Sequence, residues 1–318
     1  MGTFTLLDDD DARAIAGAFD LGAPTKLTSI AAGTINSNFA LETDRGRWFV
    51  RVNEGKSVED CTWEAALVVD LAAAGLPVPV PREASDGQRL FVHRGLIVSV
   101  FAWQPGRHRA PSEVSVADAD AIGETLARMH VAASARPRST WRDGIYQFAD
   151  IVGRFEGFRG SRDPALAHAI AVLGDEFSWL TAQAGVRAAA SHGVIHQDLF
   201  RDNVLWDDGR LVAILDFEQA SRGSFVYDLA VAVNDWCWDR PVIARAMIEA
   251  YHRAHPLTAA DRAALPVELR AAAARFTVTR ITDVHLRQVD NPDKDFRAFL
   301  ARVEHWRGAG LGELFSVV

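Results

Sequence analysis

Two short runs constrain this chain more than anything else in it. Residues 196–203 read His-Gln-Asp-Leu-Phe-Arg-Asp-Asn, and Ile214-Leu215-Asp216-Phe217 follow shortly after. The first run carries a carboxylate, Asp198, and then a carboxamide, Asn203. The second places another carboxylate, Asp216, behind an apolar strand. Between them, residues 204–206 and 211–215 flank Asp207-Asp208-Gly209-Arg210, the composition of two strands around a tight turn. A hairpin there returns the chain to its start, so the fold is expected to gather all three polar groups. Phosphoryl transfer from ATP needs such a set: a carboxylate to orient and deprotonate a hydroxyl, and an amide oxygen with a second carboxylate to hold Mg²⁺ against the phosphates. Asp198 alone would read as an exposed loop acid. Its spacing to Asn203 and Asp216 makes it the expected catalytic base and makes those two the expected metal ligands.

Other groups take roles around this set. His196 is expected to hold the loop through backbone hydrogen bonds. Asp228, in Val226-Tyr227-Asp228-Leu229, reads either as a brace for the loop or as an ordinary acid at a helix start. Upstream, residues 31–39 (Ala-Ala-Gly-Thr-Ile-Asn-Ser-Asn-Phe) lie between two alternating stretches. Small and polar residues there, Gly33 and Asn36 among them, would let backbone N–H groups approach phosphates. Arg51, on the next strand, is expected to reach the α- and β-phosphates, with Glu64 on the following helix paired to it. The opposing reading is two unrelated surface charges. Residues 100–104 would offer backbone groups to adenine, at Ala102 and Gln104.

The fold class expected is α+β, with a small β-rich lobe and a larger helical one. Alternating stretches near 27–30, 39–43, 48–52, 89–93 and 96–101 predict strands, and 59–74 predicts an amphipathic helix ended by Gly75. Helical signals then dominate at about 115–133, 165–184, 224–235, 241–254 and 266–287. The boundary falls at 102/103: residues 1–102 form a nucleotide-binding lobe and 103–318 a helical lobe with the catalytic and acceptor sites. With 318 residues, 49% of them hydrophobic, the chain can fill two cores. A net charge of −8 gives no reason to expect a nucleic-acid or anionic-membrane partner; ATP needs only a few local cations. Cys61 and Cys237 lie far apart, which argues against a disulfide framework or zinc site and fits a reducing compartment. The first residues carry neither a basic segment nor a long apolar run, so a cytoplasmic location is expected.

These motifs resemble the aminoglycoside phosphotransferase and choline kinase superfamily, small-molecule kinases with a protein-kinase-like fold. The resemblance rests on His-Gln-Asp-Leu with Asn203, Ile-Leu-Asp-Phe (214–217), Tyr-Asp-Leu-Ala (227–230), Trp-Phe-Val-Arg-Val (48–52), Ala-Gly-Leu-Pro-Val-Pro (74–79) and Gln-Pro-Gly (104–106). It covers nearly the whole chain and implies ATP and Mg²⁺ as cofactors. Within the superfamily the chain is most similar to the homoserine kinases, through Thr34–Phe39, Val233-Asn234-Asp235-Trp236-Cys237, Arg275-Phe276 with Thr279-Arg280 and Asp283, and residues 293–296. It departs from them at Gln197, where alanine is usual, and at Glu218-Gln219-Ala220-Ser221-Arg222-Gly223, a segment expected near the acceptor. The resemblance implies a kinase that phosphorylates a hydroxyl of an amine-bearing metabolite, homoserine first. Its ammonium and carboxylate would need an acid and a base near Asp198, for which Glu218, Asp235 and Arg280 are the candidates. Rival readings are a kinase for another amine (an aminoglycoside, choline or an amino alcohol), a protein serine/threonine kinase and a nucleotide-binding pseudokinase.

Overall fold

The structure is a computed structural model that describes residues 5–30 and 36–308. Its contacts divide the chain into two compact units. One comprises Met1–Arg107 with Leu205–Glu218, the other His108–Val204 with Gln219–Val318. The first grouping is discontinuous, because the hairpin that follows Asn203 groups with the N-terminal residues.

In the first unit, helix α1 (Asp9–Ala18) starts at Asp8, whose carboxylate accepts from Asp11 N while Asp11 answers with its own side chain. Its Ala12, Ile15 and Ala16 enter a core with Phe19, Leu21, Phe39, Leu41, Val50, Val52, Val98 and Val100. The sheet comprises β1 (Pro24–Ile30), β2 (Ser37–Thr43), β3 (Gly46–Val52), β4 (Phe91–His93) and β5 (Leu96–Ala102). Every neighbouring pair is antiparallel, in the order β1-β2-β3-β5-β4. Helix α2 (Val58–Ala73) is capped by Ser57 and ends before Gly75, whose φ of +77° suits a residue without Cβ.

The second unit begins with α3 (Val116–Ser134), α4 (Phe148–Phe158), α5 (Ala167–Ala182), α6 (Ala184–Ala189) and strand β6 (His192–Ile195). The hairpin β7 (Val204–Asp207) and β8 (Arg210–Ile214) comes next. Its turn has positive φ at both Asp208 (+44°) and Gly209 (+75°), the backbone that Asp-Gly favours between twisted strands. Within the first unit, three backbone bonds join it to the N-terminal residues: Arg107 N to Trp206 O at 2.9 Å, the reverse at 2.9 Å, and Ile214 N to Pro77 O at 2.7 Å. A Cβ on Gly106 would stand 2.6 Å from Trp206 O, so this approach needs glycine.

Back in the second unit, strand β9 (Ser221–Ser224) pairs antiparallel with β6. Helices α7 (Phe225–Trp236), α8 (Pro241–Ala254), α9 (Ala259–Arg280) and α10 (Phe296–Gly308) follow. Helix α7 forms the centre, with all of its residues buried except Tyr227. Four departures from the sequence expectation stand out. Helices α4 and α10 and the short β6–β9 pair carry no strong sequence signal. Helix α9 starts seven residues before Pro266, because the reciprocal Thr258–Asp261 cap outweighs the proline's missing donor. No helix among the described residues is long and apolar enough to cross a membrane.

Candidate active site

In the second unit the loop after β6 is built around Asp228. This carboxylate, at the start of α7, is wholly buried. Its oxygens accept from His196 N and Gln197 N, each at 2.7 Å, and face His130 Nε2 at 3.0 Å. Burial works against its charge. The hydrogen bond and charge of His130, with His196 and its backbone N–H, outweigh burial and hold the carboxyl below the usual range. Asp228 therefore braces the loop. His196 is buried, and its Nδ1 accepts from Asp198 N at 3.2 Å, as a loop-holding residue would. Gln197 sits at φ +69°, a left-handed conformation that the two bonds to Asp228 help to maintain.

Asp198 follows with its side chain partly exposed. Its Oδ2 accepts from Gln219 Nε2 at 3.1 Å. Its backbone oxygen accepts from Asn203 Nδ2 at 2.8 Å. That bond commits the donor end of the carboxamide, so only its oxygen could serve a cation. Asp235 lies against the same loop, but its carboxylate is engaged by Arg201: the N at 2.8 Å, Nε at 3.0 Å and Nη2 at 3.2 Å. Its role here is to hold Arg201. Arg280 behaves differently. Its Nη1 donates to Asp295 O at 3.0 Å, and its guanidinium covers the Phe299 ring at 4.4 Å. Burial lowers its pKa, opposed by the charges of Asp235, Asp202 and Asp198, yet it forms no ion pair with any of them. Trp236 is a core residue whose indole N–H donates to Leu199 O at 3.0 Å.

The first unit holds a compact cluster of charges. Arg51 Nη1 on β3 lies 3.5 Å from Glu64 Oε1 on α2 and 3.7 Å from Asp216 Oδ1. Burial would lower the Arg51 pKa, but Asp216, Glu64 and Glu218 reverse the sign and raise it. Lys56, which the sequence reading does not single out, bridges Glu64 Oε2 at 3.2 Å and Glu218 Oε2 at 3.0 Å. Asn36 Nδ2 donates to the same Glu218 oxygen at 2.7 Å. Glu218 thus belongs with Asn36 and Lys56 in the first unit rather than with Asp235 and Arg280 in the second. Asp216 sits at φ +65°, and its Oδ1 is buried without a hydrogen bond among the described residues. Arg51 Nε is likewise buried and unbonded. An unsatisfied carboxylate oxygen and an unsatisfied guanidinium N–H are costly unless a ligand completes them. A hard cation suits the first and a phosphate the second.

Ala102 ends β5 opposite Trp48, and its carbonyl accepts from Gln104 Nε2 at 3.2 Å. Arg47 stacks on Trp103 at 3.6 Å beside them. Gly33 lies outside the described residues.

Residues 26–266 match the phosphotransferase enzyme family. A homoserine kinase of Caulobacter sp. (strain K31) is 35% identical over 292 residues, 89% of this chain and 89% of that protein. A homoserine kinase of Methylobacillus flagellatus is 32% identical over 303 residues, 91% of this chain and 89% of that one. Among solved structures, an amicoumacin kinase in complex with AMP-PNP, Ca²⁺ and Ami superposes with a TM-score of 0.74 at 15% identity, covering 94% of this chain and 93% of that one. A choline/ethanolamine kinase family protein from Mesorhizobium loti superposes with a TM-score of 0.68 at 19% identity, covering 96% and 97%. At those identities the likeness shows the fold, that of kinase-like phosphotransferases with a sheet-based N-terminal part and a helical C-terminal part.

Proposed function

Since the chain belongs to the phosphotransferase enzyme family, we propose that it transfers the γ-phosphoryl group of ATP to the side-chain hydroxyl of homoserine. The observation that carries this acceptor is the relationship to homoserine kinases, at 32% and 35% identity over about nine-tenths of the chain. In this reading residues 1–102 serve the nucleotide and residues 103–318 carry the catalytic loop and the acceptor.

Asp198, held by Gln219 at Oδ2, accepts the hydroxyl's hydrogen bond and takes its proton as the new P–O bond forms. Arg51, fixed by Glu64, draws charge from the phosphates. The roles read from sequence for Gly33 and Asn36 toward the phosphates, and for Ala102 and Gln104 toward adenine, complete this proposal. Asn203 and Asp216 would hold Mg²⁺, which when bound screens the phosphate charge; the orphaned Asp216 Oδ1 fits that role. Arg280, without an ion pair among the described residues, suits the carboxylate of the amino-acid acceptor, whereas Asp235 acts on it indirectly by holding Arg201. Glu218 acts from the nucleotide side through Lys56 and Asn36. The two buried free cysteines support a cytoplasmic setting.

A coupled assay of ADP release tests the acceptor. Turnover with homoserine should exceed that with threonine, choline, ethanolamine and kanamycin by at least about tenfold in kcat/KM, a difference of ~1.4 kcal/mol in transition-state binding. Equal or faster turnover with any of the others would overturn the assignment.

A further inference from the structure

Asp198 is held by a side chain that the phosphotransfer reading leaves without a role. Gln219 Nε2 donates to Asp198 Oδ2 at 3.1 Å, and at its other end Gln219 Oε1 accepts from Arg275 Nη2. Arg275 is anchored in turn. Its Nη1 donates to Gln197 O at 2.8 Å, and its guanidinium lies 4.3 Å from the Tyr146 ring and 4.0 Å from the Phe276 ring. It is 3% exposed. Gln197 closes the ring by bonding Ser221 Oγ, which donates to Gln219 O at 3.0 Å. Gly144 makes room, since a Cβ there would overlap Ser221 Oγ and stand 3.0 Å from Gln197 Nε2.

We propose that Gln219 is a positioning residue for the catalytic base. It sets the Asp198 carboxylate through one end of its amide while Arg275 fixes the other. The inference rests on the phosphotransferase reading and adds to it a residue and its mode of action. The chemistry permits one orientation only. A guanidinium can only donate and a carboxylate can only accept, so the amide oxygen must face Arg275 and the amide nitrogen must face Asp198. Glutamine also separates two opposite charges. Without it, Asp198 would be drawn toward Arg275, and a direct pair would occupy oxygens that must receive the acceptor's proton. Glutamate is nearly isosteric and would still satisfy Arg275, but it would turn an oxygen toward Asp198 and push the base out of place.

The test measures ADP release with saturating homoserine and, separately, without acceptor, where water replaces the hydroxyl. The expected result for Gln219→Leu and Gln219→Glu is a loss of tenfold or more in kcat, up to about a hundredfold, as a misplacement of about 1 Å produces. KM for ATP should stay within about twofold, and the slow hydrolysis should fall in parallel. Gln219→Asn keeps a two-ended amide one methylene shorter and should recover part of the rate. Gln219 is only partly buried, so thermal unfolding should confirm that all three variants fold. Wild-type rates in Gln219→Glu, or a loss carried by KM with kcat unchanged, would overturn the proposal. If the wild type ignores homoserine yet hydrolyses ATP, the acceptor assignment fails. The hydrolysis rates of the variants would then still decide the role of Gln219.

Discussion

Single residues reach this site through partners far along the chain. Asp228 shows the energetic consequence. Its lowered pKa means that its contribution to stability is present above the ordinary carboxylate pKa of about 4 and is lost as pH falls through the folded value. Urea titrations should therefore show stability dropping on the acid side of pH 4. Asp228→Asn should cost about 3 kcal/mol at neutral pH, because an amide cannot accept from two backbone N–H groups and His130 together. That variant should also flatten the acid limb; an unchanged limb would assign the loss to other carboxylates. The run of residues 196–203 is legible because its spacing is local. The brace at Asp228 is half legible, as one of two readings. Lys56 is not, because a lysine in a loop after a strand looks solvated until Glu64 and Glu218 are found on either side of it. The Gln219–Arg275 contact spans fifty-six positions and leaves no periodic trace.

Elements are legible where the chain carries its own start and stop signals. The Asp-Gly turn at 208–209 and the Gly75 stop beyond α2 act within a few residues, and the structure keeps them. Strands β6 and β9 are four residues each and pair residues 26 to 32 positions apart, so neither offers a periodicity to read. The Ser-Arg-Gly-Ser run of β9 is a strand only because β6 lies beside it. Helix-to-helix fit is equally silent in sequence. Gly123 in α3 packs where a Cβ would overlap Met247 O of α8 and lie 3.1 Å from Ala250 Cβ. Gly123→Val should force the two helices apart and lower stability by about 2 kcal/mol, measured by denaturant unfolding. A neutral result would mean that α8 shifts freely.

The whole molecule is where nucleotide binding can be separated from catalysis. Saturation with MgATP at about a hundred times its dissociation constant should add ~2.7 kcal/mol and raise Tm by several degrees. Arg51→Met should lose most of that shift, since the guanidinium proposed to meet the phosphates is gone and Asp216 loses its Arg51 partner, while Lys56 still pairs with Glu64. Asp198→Asn should keep the shift while losing most of its turnover. A full shift in Arg51→Met would remove that residue from the phosphate site. The sequence by itself pointed to a kinase and to the fold class, because a carboxylate, a carboxamide and a second carboxylate, the set proposed to serve phosphoryl transfer, lie within about twenty residues around one hairpin. Tertiary structure alone decided which unit each remaining charge serves. It put Glu218 with Lys56, committed Asp235 to Arg201 and hung Gln219 between Asp198 and Arg275. Such partners are chosen by packing across distant segments, and an isolated charge in a sequence carries no mark of the neighbour that will neutralise it.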